Sequence, residues 1–258
     1  MNSDSFYQIE VSWDEKLLKR RSMPQAVKIT TPGFFKDYYP QLYYWDWTLY
    51  FADKGGFYRR IPSPLMGKME YKGAIDFMES IFLRIGIVAC VSKKVKDILL
   101  EEKVDPDSYY LIPIELVNGI GEYYVLFIPF LSLSELQIDY TSTHFIAEGK
   151  DIAFHDDHQL SEYLSNRDNP LRPTNLCLDA SVKVKDIINA GYIHGNIYFS
   201  ERIIKAFHDK EVVGYTAKRT GCLGTCPLSF RSVDKRDNYI SDDSHVCPVK
   251  VPDVLYKV

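Results

Sequence analysis

The sequence lacks every short motif that would announce a chemistry. It has no glycine-rich phosphate loop, no Walker sequence, no dinucleotide fingerprint and no HExxH metalloprotease helix. It also lacks a basic surplus: 31 Lys and Arg face 35 Asp and Glu, a formal net charge of −4, which argues against a general nucleic-acid binder. Long apolar runs are missing too. The best are Ile81–Val91, interrupted by Arg84, and Tyr123–Leu131, which contains Pro129, both far short of a membrane span. The opening residues Met1 to Phe6 have neither a basic nor an apolar leader region, so no secretory signal is expected. The five Cys are few, odd in number and absent from most of the chain, which excludes a disulfide scaffold and points to a reducing cytoplasm.

What is present is aromatic. Phe, Trp and Tyr make up 14% of 258 residues, with 19 Tyr among them, and Tyr at that density is spent in a sheet core or on an interface. The segment Phe34–Phe51 is the densest. Asp53-Lys54-Gly55-Gly56 then separates Thr48–Phe51 from Phe57–Ile61, which predicts a β-hairpin. Tyr43, Trp45 and Trp47 share one strand parity and are expected inside, while Tyr44, Asp46 and Thr48 share the other. Pro62, Pro64 and Gly67 punctuate the chain. They suggest a β-rich aromatic part over 1–70 and an α+β body over 71–258, in separate units or one continuous domain.

A repeated unit lies in the middle and returns near the end. Gly86–Val91 reads as a buried strand, Ser92 as a helix N-cap, and Val95, Ile98 and Leu99 as the apolar stripe of a helix over 92–103. Tyr109–Leu116 and Tyr123–Phe130 follow as strands. Later come the strand Asn196–Phe199, then Ser200, then Ile203, Ile204 and Phe207 on a helix over 200–210, and the strand Val212–Ala217. Val91, Ser92, Val95 and Val104 align with Phe199, Ser200, Ile203 and Val212 at a constant offset. Two copies are too few for a solenoid, so the reading is a mixed sheet with packed helices, built from two related strand–Ser–helix–strand halves.

Candidate chemistry is sparse. Ser200 sits where a hydrolase places its nucleophile, but the flanking glycines of that elbow are replaced by Tyr198 and Arg202, leaving a cap. His155-Asp156-Asp157-His158 could hold a metal from one face of a helix, yet it lacks apolar periodicity and reads as a solvated loop. Cys222, Cys226, His245 and Cys247 supply four potential zinc ligands, in a C-x3-C knuckle and a poor H-x-C one. A pair that oxidises and unpaired thiols are the alternatives.

Gly195 to Ile204, reading Gly-Asn-Ile-Tyr-Phe-Ser-Glu-Arg-Ile-Ile, followed by Val212-Val213-Gly214-Tyr215, resembles the ending of bacterial polymorphic-toxin immunity proteins. These are immunity families eleven and forty-three, formerly grouped as a domain of unknown function. Tyr123–Phe130 with Leu136–Tyr140 is similar to their central stretch. The likeness spans roughly Phe77 to Arg219 and leaves the aromatic part and the Cys-bearing tail unmatched. It implies a cytoplasmic antidote that binds a cognate toxin domain, without catalytic residues, cofactor, nucleic acid or membrane. Acidic pairs Asp156-Asp157 and Asp242-Asp243 could face a nuclease toxin, with solvated loops the plainer reading. The anchors for such a partner are expected in the unmatched aromatic part, at Tyr38, Tyr39, Tyr44 and Tyr58, exposed to solvent. The alternatives are a small-molecule hydrolase or transferase, and a structural or regulatory interaction module.

Overall fold

Local signals in the middle of the chain become the elements they predict. A computed structural model describes residues 5–12, 26–38, 47–69, 75–80, 87–117, 119–165, 171–179, 182, 185–194, 197–222 and 228–229. The chain is α+β. The strands are β1 (Ser5–Val11), β2 (Ala26–Ile29), β3 (Leu65–Met69), β4 (Phe77–Ser80), β5 (Ile87–Ser92), β6 (Tyr110–Val117) and β7 (Tyr123–Phe127), then β8 (His144–Ala147), β9 (Lys150–Ile152), β10 (Leu171–Leu176), β11 (Ile187–Asn189), β12 (Ile197–Ser200), β13 (Tyr215–Cys222) and β14 (Leu228–Ser229). The α-helices are α1 (Trp47–Ala52), α2 (Lys54–Arg59), α3 (Lys93–Glu101), α4 (Leu133–Leu136), α5 (Asp157–Ser165), α6 (Gly191–His194) and α7 (Glu201–Asp209).

The expected single sheet is divided. β2-β3-β6-β7-β5-β4 close into a barrel, β11-β12-β1-β13 form a second sheet, and β14-β10-β8-β9 a third. Each strand from residues 1–70 pairs with at least one strand from the rest, so the Pro and Gly punctuation at 62–67 does not interrupt the sheets. Alternation decides the layers. Val27, Ile29, Leu65, Met69, Cys90, Ile112, Ile114, Val125 and Phe127 fill the barrel. Ala89, Val91, Tyr124 and Leu126 point the other way, onto α3 and α7, whose far side meets Tyr7, Ile9, Ile187 and Phe199 of the second sheet. With both faces covered, β7 is buried at every residue.

The repeat is real in hydrogen-bond detail. β4-β5-β7-β6 and β11-β12-β1-β13 have the same antiparallel order, and Phe77↔Val91 matches Ile187↔Phe199 in register. β1, from the other end of the chain, holds the place in the second unit that β7 holds in the first. Ser92 and Ser200 are the N-caps of α3 and α7, as expected, but neither hydroxyl accepts a helix N–H. Instead Ser92 Oγ donates to Asp76 Oδ1 at 2.6 Å and Ser200 Oγ to Asp186 Oδ1 at 2.8 Å. The backbone N–H of each Ser donates to the carbonyl of the same Asp. Cations then cross between units. Lys94 Nζ reaches Asp76 and the carbonyl of Glu211, and Arg202 reaches Asp186 and the carbonyl of Glu102. Each places a positive charge at the C-terminal end of the other unit's helix, where the dipole favours it.

Candidate protein-binding face

Trp47–Ala52 and Lys54–Arg59 are helical where a hairpin was expected. Asp53 explains the difference: its carboxylate accepts the Gly56 N–H at 2.7 Å, so the residues that suggested a turn are the N-cap and first turn of α2. α1 and α2 then close one end of the barrel. Tyr50 and Tyr58 join hydroxyls at 2.9 Å, and Tyr50 accepts the Phe130 N–H at 3.0 Å. The Tyr58 ring stacks on Tyr110 at 4.8 Å and lies 5.1 Å from Phe127. Tyr58, expected at the surface, is 2% exposed and belongs to the core, because its ring completes the barrel filling. Burial pushes the Tyr50 hydroxyl up to about 12 and raises Tyr58 as well. Tyr38 ends the π-helical turn Phe34–Tyr38, while Tyr39 and Tyr44 lie outside the described residues.

The outward side of the same helix pair is different in kind. Leu49 on α1 is 72% exposed, and Asp53, Arg59 and Arg60, at the two ends of α2, are exposed as well. Arg59 meets Asp53 only at 3.5 Å, so its guanidinium remains available to a planar acceptor. The pair is pinned from beneath. Lys54 Nζ bonds Glu135 at 2.5 Å and lies 5.2 Å from the Phe51 ring centre. Burial alone would raise the Glu135 carboxyl; hydrogen bonds from Lys54 and from the Ser132 cap outweigh it and hold the carboxyl below its ordinary value. Inner rings fixed in the barrel and outer Leu and Arg side chains make a preorganised face, which loses little freedom on binding.

The remaining candidates resolve as structure. Ser200 Oγ donates to Asp186, whose other carboxylate oxygen takes the Arg202 guanidinium. His155 to His158 is only half loop: Asp156 accepts the Gln159 N–H at 2.9 Å and α5 starts at Asp157, which also accepts Tyr140 Oη–H at 2.5 Å. Among the described residues no group of three or more His, Cys, Asp or Glu is disposed to hold a metal ion. Cys222 ends β13; Cys226, His245, Cys247 and the Asp242-Asp243 pair lie outside the described residues. Burial pushes the Cys90 thiol up strongly and the Cys177 thiol to about 11, which disfavours the thiolate at both. No described helix is long and apolar enough to cross a membrane. Sequence reasoning missed Leu49, Arg59 and Arg60; the signal that could have found them is the Asp53 cap three residues before Gly56. Neither a protein-family model nor a curated protein matches the chain.

Proposed function

We propose that the chain is an antidote that binds a cognate bacterial toxin domain, and that the outer face of α1 and α2 makes the contact. One observation carries this reading: α1 and α2 bury Tyr50 and Tyr58 in the barrel core while exposing Leu49, Arg59 and Arg60. Arg is among the residues most enriched at binding hot spots, and a rigid platform under it favours tight association. The motif likeness supports the antidote part. Its strand–Ser–helix–Gly stretch is scaffold in this fold, so partner choice falls to the helical corner outside it. In this reading the chain works in the cytoplasm, a compartment that suits the free thiols Cys90 and Cys177.

The test is co-expression with the C-terminal domain of a toxin encoded beside it, followed by affinity measurement. The triple change Leu49→Ala, Arg59→Ala, Arg60→Ala is expected to weaken binding by about a hundredfold or more at unchanged melting temperature. Tyr58→Phe is expected to lower stability by about 1 kcal/mol and leave affinity intact. A triple variant that binds like the parent sinks the assigned face; cells that die despite co-expression sink the antidote reading.

A further inference from the structure

The barrel carries a second exposed surface, on the outer side of β3 and β6. These strands run parallel in a register that sets Met66 beside Glu115 and Lys68 beside Val117. All four side chains are exposed, Met66 by 44% and Val117 by 57%, while Leu65, Met69 and Ile114 beside them in sequence belong to the barrel core. The four form a checkerboard. Met66 and Val117 occupy one diagonal; Lys68 and Glu115 occupy the other. Among the described residues Lys68 and Glu115 form no ion pair, with each other or otherwise, although their charges are opposite. Lys28, exposed on β2, stands directly across from Lys68, a like-charge cross-strand pair that costs stability in the free chain. Ile120, 69% exposed, follows in the turn after β6.

We propose that this face joins two copies of the chain as an isologous dimer. The pattern is self-complementary about one particular axis. A two-fold lying in the contact plane along the Met66–Val117 diagonal sets Met66 on Met66 and Val117 on Val117. The same rotation exchanges the other diagonal, so each Lys68 meets the second copy's Glu115, twice per dimer. Each incoming carboxylate also lies near the Lys28–Lys68 pair and offsets its repulsion. Other axes through the face put a charge on an apolar side chain or Lys68 on Lys68. The apolar diagonal supplies the desolvated centre and the charges fix the orientation, the usual division of roles at an interface. This inference stands apart from toxin binding, because it uses none of α1 or α2.

Sedimentation velocity of the full chain over roughly 1–500 µM tests it, the span in which small interfaces associate. The dimer fraction is expected to rise with concentration. Lys68→Glu and Glu115→Lys should each weaken association by about tenfold or more, since either creates two like-charge contacts per dimer. The double variant restores both pairs with their signs exchanged and should return to within about threefold of the parent. Met66→Asp should abolish the dimer, and thermal melting of each variant shows whether it is folded; if Met66→Asp does not fold, the charge series decides alone. A parent that stays monomeric throughout overturns the proposal. So does a dimer indifferent to the single charge changes, or a double variant as weak as the singles.

Discussion

Lys103 and Glu211 occupy equivalent positions just past α3 and α7, and both hold left-handed backbone, at φ 53° and 52°. They close matching Schellman ends: the Val104 N–H donates to Leu99 O at 3.0 Å, and the Val212 N–H to Phe207 O at 2.9 Å. A Cβ at such a φ is strained, and glycine is not. Lys103→Gly and Glu211→Gly should therefore each stabilise the protein by about 0.5–1 kcal/mol, read as a higher urea midpoint at unchanged slope. A loss at either position would mean that the side chain matters more than its backbone strain. The buried tyrosines set a limit at high pH. The Tyr50 hydroxyl is raised by burial from 10.0 to about 12, so the folded state prefers it protonated. Its contribution is full below about pH 10 and is lost as pH rises from there through about 12. Melting temperature followed across that window should fall in the parent and fall less in Tyr50→Phe.

Among the elements, the junction of β13 with the first unit is a close backbone-to-backbone approach. Gly214 has φ 107°, and a Cβ there would lie 2.2 Å from the carbonyl oxygen of Phe77. That approach lets Asp76 and Phe77 donate their N–H groups to Val213 O, while the Ser12 N–H donates to Gly214 O. Gly214→Ala should cost on the order of 3 kcal/mol or more, seen in thermal unfolding, because the clash is with backbone. The same passages show what the sequence could reveal. Val95, Ile98 and Leu99 form a local helical stripe, and Ile203, Ile204 and Phe207 repeat it, so both helices and their serine caps were legible. The Asp76–Ser92 and Asp186–Ser200 bonds were not, since the partners lie 14 to 16 residues apart on separate elements. Asp53-Lys54-Gly55-Gly56 was ambiguous in itself: a turn and a helix cap begin with the same residues, and only barrel closure selects the helix. For the candidate face this meant that Tyr58 was misplaced at the surface and Leu49 went unnoticed.

At the scale of the whole molecule, the two helices α3 and α7 lie between a barrel and a sheet of matching topology, with a further β-and-α layer on the sheet's far side. Phe6, Ile188 and Tyr198 face that layer, and Tyr7, Ile187 and Phe199 face the helices. Both faces of the second sheet are thus committed to core. Its centre is β1, flanked by β12 on one side and β13 on the other. During synthesis on the ribosome this strand emerges well before both of its neighbours. At roughly 5–20 residues per second the interval is on the order of ten seconds or longer. Throughout it β1 has neither of its ladder partners, so the second sheet closes around a strand translated long before its neighbours.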